Sequence, residues 1–399
     1  MTIQPSQNLS TATLGISPRY RWTLRRSALQ EPEHYAQYIE DKLHSLRGID
    51  AQGAVSDKEL LSHLPPWQDL KDIKKSVDRI MRALDSGERI TIFGDYDVDG
   101  TTSCALLKLA FAELGKDVEI YIPDRLTEGY GLNPIGLEKI AASGGGLVIT
   151  VDNGISAVEA CRRAKDLNLD VIVTDHHEPP EVLPEAFALL NPKQPGCDFP
   201  FKMLAGVGVA FYLLIALRAE LRSAGRRSAE RINLKKYLDF VAVGTIADVA
   251  PLNGVNHIFC RVGLHVLYEN IIAGDRIGIA ALMRLAGWKR DQGVVDAVDV
   301  GFKLGPRLNA AGRLGSAMAS AELMFTTQHE RAFELAEFLH AENSARQDIE
   351  KKAVEQALRM VGSWTHEFAS VVLFDPQWHA GVVGLVASRV AEKLNKPTL

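Results

Sequence analysis

Three aspartates stand at alternate positions, Asp95, Asp97 and Asp99, in the stretch GDYDVDG that closes on Gly100. D-x-D-x-D-G is how a calcium-binding EF-hand loop begins, and it suits an acidic catalytic site at a strand end equally well. Calcium takes six to eight oxygen ligands, and an EF-hand draws a bidentate glutamate from loop position twelve. Counted from Asp95, that position is Leu106. Upstream, RITIFGDY is a β-branched and aromatic run that reads as a buried strand rather than an entering helix. Downstream, TTSCALLKLAFAELG has apolar residues at helical spacing, with Thr101 to Ser103 as expected caps and Gly115 as the stop. The carboxylates therefore belong to a strand-to-helix turn, where open α/β sheets bind their ligands.

Other apolar runs also end in acid or imidazole. LVITVDNG offers Asp152, VIVTDHHE offers Asp175, His176 and His177, and VGTIADVAP offers Asp248. In a parallel sheet the carboxyl ends share one edge, so residues scattered over the chain converge there. Any one of these aspartates is a common turn former or helix cap. Four run ends of this kind are not explained by turn preference. Clustered carboxylates repel one another unless a cation lies between them. Mostly oxygen ligands with one or two imidazoles suit two divalent ions, Mn²⁺ or Mg²⁺, better than zinc. Such ions, roughly 3.5 to 4 Å apart, clamp a phosphoryl centre. Hydrolysis of a phosphate ester is the expected chemistry.

The elements that must position these groups are legible as texture. From about residue 88, ITIFGDY, VEIYIPD, LVITVDN, VIVTDHH, AFALLNP and FVAVGTIADVA alternate with helical segments. That pattern predicts an α/β fold, a mostly parallel sheet flanked by helices. KMLAGVGVAFYLLIALRAEL reads as a buried helix, 327–361 as a long charged connecting helix, and FASVVLFD at 368–375 as the first strand of a second, smaller α/β domain. The expected division is a mostly helical segment 1–80, a metal-binding domain 81–270, a helical region and connector 271–361, and the start of the second domain at 362–399.

Composition is ordinary for a globular chain: 399 residues, 46% hydrophobic, 24% charged, net charge -5. A nucleic-acid contact must then come from a local patch; LRSAGRRSAERINLKK (221–236) is one candidate and reads equally as a solvated loop. The 4 cysteines are far apart with no CxxC pairing, as in a reducing cytoplasm. No secretory leader and no uninterrupted apolar stretch of ~18 residues is present, so no membrane partner is expected.

GDYDVDG, VDNG, TDHHE and GTIADVAPL together resemble the four acidic motifs of the DHH phosphoesterase superfamily. IPDRLTEGYGLN, GPRLNAAGRLGSA and WHAGVVGLVASRVAEKLNKPT resemble, within it, the single-stranded-DNA-specific exonucleases. The resemblance implies that Asp97, Asp99, Asp152, His176 and Asp248 hold two metals, with Asp152 as a bridge. Asp95 and Asp175 are ligands or orienters. His177 addresses the scissile phosphate or supports His176. Arg125, following VEIYIPD, is placed to hold a phosphate by its fork, with an exposed loop arginine as the alternative. Arg307 and Arg313, expected in a glycine-broken turn, would stabilise the scissile phosphate. His379, with the amides near Gly381 and Gly384, would cradle phosphate at a helix start, and Ser388 and Arg389 would touch the 5′ end.

The implied activity is 5′ to 3′ degradation of single-stranded DNA to 5′-mononucleotides in repair and recombination. Single-stranded DNA is the implied partner, with a single-strand-binding protein and a repair helicase. Alternatives are a phosphodiesterase of short oligoribonucleotides, cyclic dinucleotides or pyrophosphate, and a non-catalytic replication scaffold. The last is disfavoured because every expected acid is present. The resemblance also leads one to expect a later glycine-rich motif and an OB-type domain beyond Leu399.

Overall fold

Five short strands pair in parallel, with helices over both faces as an all-parallel sheet requires. The computed structural model describes residues 57–125, 127–314, 317–362 and 369–399. The first 56 residues of the expected N-terminal helical segment lie outside the described residues. In chain order come α1 (Asp57–Ser62), α2 (Ile73–Ser86), β1 (Ile90–Gly94), α3 (Val98–Glu113), β2 (Glu119–Tyr121), α4 (Pro134–Ala142), β3 (Leu147–Val151), α5 (Val158–Asp166), β4 (Asp170–Thr174) and β5 (Ala188–Leu190). Then follow α6 (Gly206–Ser223), α7 (Leu238–Ala247), α8 (Gly254–Ala273), α9 (Ile277–Leu285), a π-helical turn Asp299–Leu304, α10 (Gly305–Leu314), α11 (Met318–Phe325), α12 (His329–Val361) and α13 (Val383–Leu394).

The strand order is β2-β1-β3-β4-β5. Its register sets Gly94 against Val151, Val151 against Thr174 and Thr174 against Leu190, so four strands finish on one line. Side chains alternate between the faces with the period of two that a pleated strand imposes. Ile90, Ile92, Leu147, Ile149 and Ile172 enter the large core beneath α2, α3 and α6, which runs on through α7, α8, α9 and α11 into the first half of α12. Phe93, Val148, Val171 and Val173 face the other way, toward α4 and α5. A third cluster joins Ala353, Val354 and Ala357 of α12 to Val382, Val386 and Val390 around α13.

Three local expectations are corrected. FVAVGTIA is helix α7 and not a strand. Leu238 to Thr245 are all buried, and a short run apolar on every side has no period by which to tell strand from helix. Helix α3 starts at Val98 with Asp97 as its cap, not at Thr101. The Thr101, Thr102 and Ser103 hydroxyls instead donate back to the carbonyls of Asp97, Val98 and Asp99 at 2.8, 2.7 and 2.7 Å. GPRLNAAGRL is helix α10 and not a turn; it continues without a break from the π-helical turn Asp299–Leu304, and its Pro306, which has no N–H to donate, stands just after that turn.

The strand expected at 368–375 lies partly outside the described residues. Within them, Val371 bridges Thr398 in parallel, and Leu373 N donates to Leu399 O at 3.0 Å. Among the described residues no helix is long and apolar enough to cross a membrane.

Helix α7 is held hard against α8. Asp239, fully buried, accepts from Arg276 Nε at 2.7 Å and from Asn270 Nδ2 at 2.6 Å. A Cβ on Gly263 would lie 2.2 Å from the Leu238 carbonyl oxygen, so only glycine permits this approach. Gly263→Ala is expected to cost about 1–3 kcal/mol in urea unfolding, the usual penalty of overpacking. An unchanged midpoint would show that α7 can be displaced freely.

Candidate metal centre

The carboxyl edge gathers the predicted acids. β1 is a strand leading into the loop, so the first motif is not entered from a helix as an EF-hand would be. Asp97 caps α3, its Oδ1 accepting from Gly100 N at 3.0 Å. Asp99, the second residue of α3 and 1% exposed, accepts from the amides of Gly206 and Val207 at 2.6 and 2.8 Å. These are the first amides of α6, so the acid is anchored on the positive end of that helix. Asp152 ends β3 with φ 62, a left-handed conformation that aspartate tolerates better than most residues. Asp248 is reached from α7, whose last turn it closes.

His176 Nε2 is 3.1 Å from Asp152 Oδ1, 3.8 Å from Asp99 Oδ2 and 3.9 Å from Asp248 Oδ2. Three sets have ligating atoms within 4.8 Å of one another: Asp152, His176 and His177; Asp99, His176 and Asp248; Asp95, Asp97 and Asp152. Asp152 and His176 each serve two sets.

Asp95 Oδ1, Asp152 Oδ1 and His176 Nε2 are buried atoms with no hydrogen-bond partner. Buried polar atoms are nearly always paired, so two carboxylate oxygens and an imidazole nitrogen left without hydrogen bonds in this way fit cations. Asp175 has a different occupation: it accepts from the amides of Ile155, His176 and His177 at 2.8, 2.7 and 3.1 Å and contacts His177 Nδ1 at 2.8 Å. It holds the histidine loop and belongs to none of the three sets.

Charge follows from this crowding. Burial, then Asp97, pushes Asp95 up to about 7 and Asp248 up to about 6. Asp99 and Asp152 stand well above the usual carboxylate range, first through burial and next through Asp248 and Asp99 respectively. Burial and then His177 lower His176 to about 4, a neutral imidazole. The contact with Asp175 raises His177 to about 9. For Asp175 burial acts upward, but His177 and the loop amides together hold it below its ordinary value.

Arg125 lies over the Tyr96 ring at 4.7 Å. Arg313 is near enough to Arg125 and Tyr96 to feel both charges, and burial lowers its pKa; its Nη1 donates to Gly381 O at 3.0 Å. Arg307 turns away, donating to Lys303 O at 2.7 Å and contacting His340 Nδ1 at 3.1 Å. His379 Nδ1 accepts from Gly381 N at 3.1 Å. Ser388 is exposed and donates to Gly384 O, and Arg389 pairs with Glu350 and Glu392 at 3.3 Å each.

Four supporting residues were not singled out from sequence. Asn309 Oδ1 accepts from Val98 N at 3.1 Å, and Gly312 lies against the Tyr96 carbonyl, so α10 docks on the first acidic loop. Gly206 leaves room for Asp152, whose Oδ1 would be 2.7 Å from an added Cβ. Asn153 Nδ2 bridges Phe93 O and Val151 O at 3.1 and 2.9 Å, tying β1 to β3 at the edge. The glycines in LAGVGVA and NAAGRLG were the available signal.

A model of the DHH family, N-terminal domain, matches residues 89–245. The single-stranded-DNA-specific exonuclease RecJ of Escherichia coli is 40% identical over 90% of this chain, and that of Bacillus subtilis 40% identical over 96%. The chain spans 62% and 48% of their respective lengths. A crystal structure of exonuclease RecJ bound to manganese superposes with a TM-score of 0.71 at 35% identity, over 84% of this chain and 80% of that one. The chain belongs to the RecJ family of DHH proteins. The family's α/β fold is thereby shown for it, with the parallel sheet and its acidic edge.

In excess chelator, melting temperature is expected to fall as pH rises from 5 to 8. Asp95 and Asp248 titrate above the ~3.9 of an unfolded aspartate, so the fold holds protons that the unfolded chain has lost, and stability declines with pH through that window. His177, raised, acts in the same direction above ~6.5, and His176, lowered, opposes it below. Asp95→Asn should shrink the fall; a profile that the substitution leaves untouched would contradict the charge assignment.

Proposed function

We propose that the protein is a metal-dependent exonuclease that degrades single-stranded DNA from the 5′ end to 5′-mononucleotides. The observation that carries this reading is the set of unpaired buried atoms, Asp95 Oδ1, Asp152 Oδ1 and His176 Nε2, at one sheet edge. Asp97, Asp99, Asp152, His176 and Asp248 are the proposed ligands of two Mn²⁺ or Mg²⁺ ions, with Asp95 beside them. Asp152 serves two of the three sets, which supports a bridging role. Divalent ions held there lower the pKa of a water and neutralise phosphate oxygens. The relatives' structures bound to manganese and to magnesium support the choice of metal.

The chain's own groups have separable tasks. Asp175 orients His177, whose half-exposed, protonated ring presents a positive edge to the scissile phosphate. Arg313 adds a guanidinium beside the first acidic loop. Arg307, engaged with α12, acts at one remove by fixing α10. Arg125, pre-stacked on Tyr96, is the proposed contact for the terminal phosphate, with His379, Ser388 and Arg389 along the strand. The ion pair of Arg389 with Glu392 is exposed on both sides and contributes only ~0–1 kcal/mol, so a phosphate exchanges for it readily. The single-strand-binding protein, the repair helicase, a cytoplasmic location and the division at 270 and 361 remain part of this proposal and rest on the resemblance.

Asp152→Ala should abolish calorimetric Mn²⁺ binding and lower cleavage of a 5′-labelled single strand by roughly 10²–10³-fold, the scale of losing a principal electrostatic element. Retained metal binding would remove the two-ion reading, and wild-type activity confined to dinucleotides would reassign the substrate. Arg125→Ala should reduce cleavage of 5′-phosphorylated strands more than of 5′-hydroxyl strands. Equal loss on both would count against an end-reading role.

A further inference from the structure

The sheet edge carries one more cation, in the loop after β5. Asn191 Nδ2 donates to His177 O at 2.9 Å, and Lys193 N donates to Asn191 Oδ1 at 2.8 Å, so this loop is tied to the histidine motif by two consecutive hydrogen bonds. Lys193 is 22% exposed at its side chain, yet its ion-pair partner, Glu178 at 3.6 Å, is 84% exposed. A lysine that is mostly buried against the site but paired only with a solvated carboxylate gains little from that pair.

Strand order gives this placement its meaning. Arg125 follows β2 at one end of the sheet and Lys193 follows β5 at the other, with the acids of β1, β3 and β4 between them. Four inter-strand steps of about 4.8 Å put the two ends roughly 19 Å apart. That is several nucleotides at the ~3.4 Å rise of stacked bases.

We propose that Lys193 binds a backbone phosphate of the substrate on the far side of the acidic cluster from Arg125, so that a single strand lies along the carboxyl edge of the sheet with a cation at each end. The inference rests on the exonuclease reading and deepens it: the strand direction is across the strands, from β2 to β5, and not down into the sheet. Lys193 acts as a point charge, so arginine should replace it and glutamine should not.

The test uses the full chain. Binding of a 12-nucleotide 5′-phosphorylated single strand is followed by fluorescence anisotropy across a salt series, with Ca²⁺ as the only divalent ion, and Mn²⁺ affinity is measured separately by calorimetry. Lys193→Gln is expected to weaken strand binding on the order of tenfold at low salt and to reduce the slope of log K against log salt by ~0.7, the value of one lost contact on a single strand. Lys193→Arg should restore both, and Glu178→Gln should keep the wild-type slope. Mn²⁺ affinity should stay the same in all variants. A K193Q slope equal to wild type, or a loss of Mn²⁺ affinity in K193Q, overturns the assignment while leaving the exonuclease reading intact. A wild-type protein that neither binds nor cuts single strands removes that reading and the inference with it.

Discussion

Six carboxylates and two imidazoles meet where four parallel strands end, and the surrounding structure is arranged to tolerate that concentration of like charge. Burial raises Asp95, Asp99, Asp152 and Asp248 together. The cost is offset by fixed dipoles and not by lysines or arginines at the centre. Asp99 takes the first two amides of α6, Asp97 caps α3, and Asp175 is satisfied by three amides and one imidazole. What stays unpaired, on Asp95, Asp152 and His176, points to cations as the final partner.

This constraint accounts for features elsewhere in the fold. Glycine at 206 lets α6 begin close enough to serve Asp99 without striking Asp152. Glycine at 263 and the buried Asp239–Arg276 pair hold α7 in place, and Asp248 is delivered from that helix rather than from a strand. Helix α10 closes the acidic loop through Asn309 and Gly312, and Arg313 then links the same helix to Gly381 ahead of α13. The acidic loop and the segment before α13 are therefore coupled through one helix, whose entry is a π-helical turn, a form frequent at functional sites.

Cations are placed at the margins. Arg125 stacks on Tyr96, Arg313 lies behind it, and Lys193 stands beyond β4 on the other side. An acidic centre between positive flanks is the arrangement that the proposed polyanionic substrate calls for.

The sequence by itself determined the parallel sheet and the identity of nearly every acid at its edge. Alternating apolar runs and the residue types that end them are local properties, and a parallel sheet has one edge on which strand ends can meet. The same locality explains the misreadings. FVAVGTIA is apolar on all sides, so nothing in its spacing distinguishes the strand expected from the helix found. Thr101 to Ser103 can cap a helix or bond back within one, and only the approach of Asp97 decides. The glycines of GPRLNAAGRLG imitate a turn until the Tyr96 carbonyl shows why Gly312 must be small. Tertiary structure alone decided that Asp175 is taken up by the histidine loop while Asp152 and His176 are shared between sets of ligating atoms, that Arg307 faces α12, and that the loop bearing Lys193 is tied to the histidine motif. Each of these depends on which lone pairs are already taken by amides from distant segments, and the order of residues along the chain carries no such information.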